Sequence, residues 1–411
     1  MPNDWRAMFM ENVPKSVFQL RGRMHPVSTL GKVELATCLT RKLFRGQWTL
    51  SALSLRLAAP AMSLYPCDMP PLGTDERFMR AALREARKGL SHTSPNPAVG
   101  AVLVKGGRIL ARGHHRQAGR PHAEIECLAR FKKGVPPGST LFVTLEPCST
   151  RGRTGSCTEA IICSGTKNIV IGAIDPNPRH EGRGLELLRR AGIAVRSGVL
   201  ADECAALNEA FNKWIVTGRP FVIAKCGMSL DGRLTRRPGE PRWITDTAAR
   251  RNAHQLRATV DAILIGAETL RQDNPRLTVR GVRGVRQPWR IVLTRSGKLP
   301  RDARLFRDRT AERTLVYKKK SLEAVLDDLG RKNVTSVLIE GGGDVLGEAL
   351  DRRLIDKVQI YLGPRLTGGP VVAFGGNGAS ATANATKLKR VSFRRTGQCV
   401  CVTGYFRKIG E

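Results

Sequence analysis

The apolar positions of the chain fall into two successive α/β patterns, the first of which begins at Asp75. Asp75 is placed to cap a helix in which Phe78, Met79, Ala82, Leu83 and Ala86 recur at helical spacing, ending near Gly89. The turn cluster Ser94-Pro95-Asn96-Pro97 leads into a buried strand from Val99 to Val104. Gly106-Gly107 predicts a hairpin turn, with Ile109 to Gly113 as the return strand. His122 then starts a helix with Ile125, Cys127, Leu128 and Phe131 on its apolar side. A strand follows at Thr140 to Leu145, and Cys157 begins another helix through Ile161 and Ile162. Strand Asn168 to Ile174, helix Gly184 to Ala191 and strand Ile193 to Arg196 complete the unit, and one polar-faced helix from Ala201 to Trp214 leads out of it.

The second pattern starts after the turn Gly218-Arg219-Pro220. Phe221 to Cys226 reads as a strand, Asp246 as the cap of a helix from Thr247 to Arg257, and Ala262 to Gly266 as a buried strand. Shorter strands are expected at Arg290 to Leu293 and Thr314 to Tyr317, and Lys318-Lys319-Lys320 reads as a solvated helix start. Ser336 to Glu340 is a strand ending in Gly341-Gly342-Gly343, followed by a helix from Asp344 to Leu350. Two strands, Leu388 to Arg395 and Gln398 to Phe406, close the chain as a hairpin. In the last one Cys399 and Cys401 are read as facing opposite sides, and not as a metal pair.

With 411 residues there is room for two or three domains, each with its own core. No stretch has the run of apolar residues that a membrane helix needs. The ten cysteines are scattered, which favours a reducing, cytoplasmic setting over a disulfide framework. Residues 1–74 lack the periodicity of the rest. They are open to three readings: a mis-called start with translation beginning at Met62 or Met69, an acid-poor targeting segment, or a disordered extension. The net charge of +34 fits a nucleic-acid binder, an anionic small substrate or an Arg-rich proteome. The basic residues are spread along the chain and aromatics are only 5%, so platforms for stacking single-stranded bases are sparse.

Candidate chemistry concentrates between His122 and Cys157. One His and two Cys (His122, Cys148, Cys157) make three good zinc ligands and leave a fourth position for water, the open coordination of a catalytic site. Glu124, two residues from His122, is placed to move protons without being a ligand, the arrangement of zinc-dependent base deaminases. The nine-position step from Cys148 to Cys157 departs from the general Pro-Cys-x-x-Cys pattern. In the second half, strand, glycine cluster and helix at Gly341-Gly342-Gly343 form an arrangement that meets phosphate, although a tight turn accounts for it equally well.

Ser94-Pro95-Asn96-Pro97-Ala98-Val99-Gly100, Gly119-Arg120-Pro121-His122-Ala123-Glu124, Leu145-Glu146-Pro147-Cys148, Gly152-Arg153-Thr154, Cys157 and Asp175-Pro176-Asn177-Pro178 together resemble the deaminase half of the bifunctional riboflavin-biosynthesis deaminase/reductase family. The long cysteine spacing fits that family. Lys225, Ser229-Leu230-Asp231-Gly232, Trp243-Ile244-Thr245, Gly266, Thr269, Asp273 to Arg280 and Glu340-Gly341-Gly342 resemble its reductase half. The resemblance covers residues 75 to 411. It leaves 1–74 as an N-terminal extension and implies a cytidine-deaminase-like three-layer α/β domain at 75–217 and a dihydrofolate-reductase-like domain at 218–411.

The resemblance also implies zinc on His122, Cys148 and Cys157, with Glu124 as proton shuttle and Asn96 in the pyrimidine pocket. NADPH would be met by Gly227, Trp243, Thr269, Asp273 and a loop of Gly342, Gly343, Asp344, Val345, Leu346 and Gly347. Lys225, Arg257, Leu277, Arg280 and Glu340 would meet the phosphorylated substrate, with Lys225 and Asp273 as polar or proton partners. The substrate would be 2,5-diamino-6-(5-phosphoribosylamino)pyrimidin-4(3H)-one, deaminated and then reduced at its ribosyl group, and homo-oligomers would be usual. The chain departs from the family at Thr150-Arg151, where many members carry His, at Gly155-Ser156 in place of Pro-Pro, and at Pro241 in place of Ser. Three rival readings are a nucleic-acid base deaminase, for example one acting on tRNA, a zinc-stapled RNA-binding or scaffold protein with no need of Glu124, and an enzyme that keeps only one of its two activities.

Overall fold

The computed structural model describes residues 72–150, 155–234 and 243–406. The expectations for residues 1–71, for Arg151 to Thr154 and for Pro241 lie outside the described residues. Two sheets, both within one compact unit, organise the rest.

The first sheet is built from β1 (Gly100–Lys105), β2 (Arg108–His114), β3 (Thr140–Leu145), β4 (Asn168–Ala173) and β5 (Ala194–Ser197), in the order β2-β1-β3-β4-β5. β1 runs antiparallel to β2 and β3, while β3, β4 and β5 are parallel. Its helices are α1 (Leu72–Arg87), α2 (Ala123–Leu128), α3 (Cys157–Cys163), α4 (Arg183–Arg190) and α5 (Ala201–Leu207). Strand alternation sorts the side chains. Ala101, Leu103, Leu141, Val143, Ile169 and Ile171 pack with α2, α3 and α4 on one face. Val102, Val104, Phe142 and Val170 pack with α1 and α5 on the other, which gives three layers.

Two expectations change here. Asp75 is not the helix cap, because α1 begins at Leu72. Its carboxylate is instead fully buried and paired with Arg196 on β5. The single helix expected from Ala201 to Trp214 breaks at Asn208, dividing α5 from α6 (Glu209–Thr217). The Asn208 amide accepts from Ala98 N at 2.8 Å and donates to Ala98 O at 3.0 Å, a tertiary pairing that outweighs one continuous helix.

The second sheet has β6 (Phe221–Ser229), β7 (Ala262–Gly266), β8 (Trp289–Thr294), β9 (Thr314–Lys318), β10 (Ser336–Ile339), β11 (Lys357–Gly363), β12 (Lys389–Thr396) and β13 (Cys399–Tyr405). Its order is β12-β13-β11-β6-β10-β7-β8-β9. The six strands from β11 to β9 are parallel, and the β12-β13 hairpin adds an antiparallel edge. Parallel strands need crossovers, which are supplied by α7 (Thr247–Arg257), α8 (Ala267–Asp273), α9 (Arg304–Arg307), α10 (Leu322–Arg331) and α11 (Gly343–Asp351). Helices α10 and α11 cover one face, and α8 and α9 pack on the other.

Strand β11 and helix α8 have no counterpart in the sequence expectations. The lysine run is not a helix start either: Lys318 ends β9, Lys319 has a φ of 53°, and Ser321 caps α10. Cys399 and Cys401, two apart in a strand, share a face, and both are buried with Ala249, Ala253 and Tyr361. Among the described residues no helix is long and apolar enough to cross a membrane.

Candidate active sites

At the first site, three segments distant along the chain meet. His122 is the N-cap of α2, Cys157 is the first residue of α3, and Cys148 lies in the loop after β3. Helix α2 can lie close because β2 has no side chain at Gly113, where a Cβ would stand 2.3 Å from Ala123 O. Ser156 and Glu159 form a capping box that fixes the first turn of α3. His122 Nδ1 lies 3.2 Å from Cys157 Sγ and 3.6 Å from Cys148 Sγ. Tetrahedral zinc with N and S ligands has edges of roughly 3.6 Å, so the donor set and its spacing suit that ion. The three donor atoms lie within 4.8 Å of one another, and this is the metal-competent cluster found among the described residues.

Glu124 is buried beside them, and its Oε2 has no hydrogen-bond partner in the protein. Burial pushes its carboxyl up to about 7. The hydrogen bond from Cys157 holds the Cys148 thiol well below its ordinary value, at about 4, while the same contact and burial push Cys157 up. One sulfur is thus poised as a thiolate.

Asn96 stands one residue removed from the metal cluster. Its Nδ2 donates to His115 Nε2 at 3.2 Å, and the His115 ring meets the His122 ring edge-on at 5.1 Å between centroids. His115 Nδ1 donates to Pro121 O at 3.0 Å, which leaves Nε2 as the acceptor. His115 was not singled out by sequence reasoning, and His114-His115 at the end of the β2 run was its only signal. Glu146 was quoted only as a neighbour of Pro147-Cys148. Its buried carboxylate accepts from the backbone of Asp175, Gly182 and Gly184 at 3.2, 3.0 and 2.8 Å, so it pins the Cys148 loop to the start of α4.

The second site is a cleft of about 1660 Å³ at the C-terminal ends of the parallel strands. Such crevices are where open parallel sheets bind ligands. Gly227, Trp243, Thr269, Asp273, Gly342, Gly343, Asp344 and Val345 all line it, as do Lys225, Arg257, Leu277, Arg280 and Glu340. Leu346 and Gly347 do not. The segment that the resemblance treats as a loop is the start of α11, as the helix expected from Asp344 already required, and it rotates Leu346 into the core and sets Gly347 against Gly375, where a Cβ would lie 2.1 Å from a carbonyl oxygen. Thr269 Oγ1 accepts from Gly342 N at 3.0 Å and fixes the glycine turn.

Arg257 holds Glu340 through two hydrogen bonds of 2.6 and 2.8 Å, and Lys225 Nζ lies 3.6 Å from the same carboxylate. Burial raises the Glu340 carboxyl, but Arg257 and Lys225 outweigh it and hold it at about 2. His254 is kept neutral, at about 4, by burial and by Arg257 and Arg280, and its Nδ1 accepts from Arg280 N at 3.2 Å. Arg271, Arg276, Arg295, Arg304 and Lys320 also line the cleft, so phosphate groups would meet a positive wall. None of these five reads as a site residue in the sequence: Lys320 falls in the expected solvated helix start, and in so basic a chain single arginines carry no signal. The glycine turn opening α11, with backbone approach on one side and cations on the other, suits a phosphorylated dinucleotide.

A three-layer sheet presenting a His/Cys/Cys cluster beside a buried Glu, joined to a mainly parallel sheet with a phosphate-suited cleft, defines a zinc-type deaminase fused to a dihydrofolate-reductase-like reductase. The comparisons agree. The cytidine and deoxycytidylate deaminase zinc-binding region matches residues 72–173, and the RibD C-terminal domain matches residues 220–402. The riboflavin biosynthesis protein RibD of a Synechocystis species is 39% identical over 344 residues, covering 77% of this chain and 92% of that protein. The solved structure of Acinetobacter baumannii RibD superposes with a TM-score of 0.75 at 34% identity, covering 82% of this chain and 99% of that one. That of a diaminohydroxyphosphoribosylaminopyrimidine deaminase/5-amino-6-(5-phosphoribosylamino)uracil reductase from Thermotoga maritima gives 0.74 at 37%, covering 81% and 99%. The chain belongs to the RibD family: it is a bifunctional enzyme of riboflavin biosynthesis, with a deaminase and an NADPH-dependent reductase on one polypeptide.

Proposed function

We propose that the chain deaminates 2,5-diamino-6-(5-phosphoribosylamino)pyrimidin-4(3H)-one and then reduces the ribosyl group of the product to give 5-amino-6-(5-phosphoribitylamino)uracil. The observation that carries the reading is the convergence of His122, Cys148 and Cys157 on one point beside the buried, unpartnered Oε2 of Glu124. Those three side chains hold the zinc, which when bound supplies a water of lowered pKa. Glu124 takes a proton from the attacking water and returns it to the departing amine, so that the ring C–N bond breaks, ammonia leaves and a carbonyl remains. The loop carrying Asn96 orients the pyrimidine.

In the cleft, Gly227, Trp243, Thr269, Asp273 and the turn from Gly342 to Val345 hold the cofactor, and bound NADPH supplies the hydride. Leu346 and Gly347 support that turn from behind. Lys225, Arg257, Leu277, Arg280 and Glu340 orient the ribosylamine in its open imine form, where hydride adds to the sugar carbon and a proton to the nitrogen. Lys225 and Asp273 serve as its polar or proton partners. We assign deamination to residues 75–217 and reduction to 218–411, with α6 bridging them. The enzyme is proposed to be a cytoplasmic homo-oligomer; the exposed edge strand β12, with Phe393 74% exposed, favours assembly. Metal analysis tests the first site: one zinc per chain is expected, lost in Cys157→Ser, and a zinc-free wild type that still releases ammonia overturns the assignment.

A further inference from the structure

The loop that carries Asn96 is held at its start by the reductase half and at its far end by Asn208, where the helix α6 that packs on that half begins. At its start, the Ser94 hydroxyl donates to Asp261 Oδ2 at 2.7 Å. Asp261 immediately precedes β7 and is only 4% exposed. The same oxygen accepts from Thr335 N at 2.8 Å and Thr335 Oγ1 at 2.7 Å, and Oδ1 pairs with Arg286. Asp261 N donates to Ser336 Oγ at 2.9 Å and its carbonyl accepts from Trp289 N at 2.8 Å, so the beginnings of β7, β8 and β10 are tied to one residue. At the far end of the loop, the Asn208 amide brackets Ala98. Asn208 opens α6, which is itself fixed to the reductase half by Lys213–Asp356 at 2.6 Å, Glu209–Lys357 at 2.8 Å and Trp214 Nε1 to Gly330 O at 3.0 Å.

From these contacts we infer that the reductase half positions the pyrimidine pocket of the deaminase, and that Asp261 and Ser94 are positioning residues for deamination. The contacts form an unbroken chain: Asp261 holds Ser94, the loop carries Asn96, Asn96 holds His115, and His115 abuts the ligand His122. Ser94 has no part in reduction. It meets β7 at its N-terminal end, whereas the cleft begins at Ile265 near the C-terminal end, roughly 13 Å along the strand. Fusion of the two enzymes therefore completes one site with the scaffold of the other. The inference rests on the placement of Asn96 in the substrate pocket.

Ser94→Ala tests it in the full-length, zinc-loaded chain. The substitution removes one hydrogen bond from a loop while Asp261 keeps its Thr335 and Arg286 partners. The KM for deamination is expected to rise about five- to tenfold, and kcat to change less than about twofold. NADPH oxidation with supplied deaminated substrate should be unchanged, Ser94→Thr should restore KM, and Ser94→Ala should add nothing in an Asn96→Ala background. An unchanged deamination KM, failure of Ser94→Thr to restore it, additive losses with Asn96→Ala, or equal loss of both activities overturns the inference. Absence of ammonia release from the wild type overturns the deaminase reading and the inference with it.

Discussion

In the five-stranded half, the reactive groups come from one stretch between His122 and Cys157 and are placed by the starts of two short helices. In the eight-stranded half, the cleft draws on residues from Lys225 to Val372, supplied by the ends of several parallel strands. The first arrangement gives a small cluster in which burial, with the Cys148 sulfur adding to it, raises Glu124 to about 7. The second gives an open, basic crevice whose buried carboxylate, Glu340, is held at about 2 by the cations around it. Hydrolysis at one ring carbon needs a tight proton relay, whereas hydride transfer between two large phosphorylated molecules needs room and electrostatic guidance.

The sharpest way to separate the halves is Glu124→Gln. Ammonia release should fall by about 10²–10⁴-fold, while NADPH oxidation with supplied deaminated substrate stays at the wild-type rate. Equal loss of both activities would mean that the substitution unfolds the chain.

Glu340→Ala probes the other half. It strands Arg257, a buried guanidinium, and should lower unfolding free energy by about 3–5 kcal/mol in denaturant titrations. A pH series sharpens the result. The Glu340 carboxyl lies at about 2 in the folded chain against an ordinary 4.5. Its stabilisation is therefore complete above pH 4.5 and lost as pH falls toward about 2. The variant should lack this component of acid sensitivity, and an identical pH slope in both proteins would contradict the pairing.

Two glycines set the scale of smaller effects. Gly347→Ala places a methyl group 2.1 Å from Gly375 O, and Gly113→Ala places one 2.3 Å from Ala123 O. Each should cost about 1–3 kcal/mol by forcing packed backbones apart. The first should raise the KM for NADPH and leave deamination intact, and the second should do the reverse. Steady-state assays of both activities on both variants check this.

How much could be read beforehand follows the same division. The zinc cluster was legible because its residues lie close in sequence and their types are dictated by the metal. Strands such as Thr140–Leu145 and Ala262–Gly266 were legible because fully buried parallel or central strands read as apolar runs. The break at Asn208 was not, since only contact with Ala98 reveals that its amide has a partner better than the helix. Asp75 looked like a cap because acids favour that position; its partner Arg196 lies far along the chain. Leu346 and Gly347 followed the family motif into the cleft, but the helical turn directs them away. Asp261 was unreadable for the same reason: nothing adjacent in sequence marks it, and its partners come from the first module and from two other strand starts.

The central claim is that one chain carries two sites working in order, and the most direct measurement is a coupled assay on zinc-loaded protein. The diaminopyrimidine ribosyl phosphate and NADPH are supplied together, and ammonia and NADPH absorbance are followed in the same cuvette. Ammonia should appear first, with NADPH consumption following after a lag that vanishes when deaminated substrate is given instead. NADPH consumption without ammonia, or release of ammonia with no later oxidation, would contradict the account.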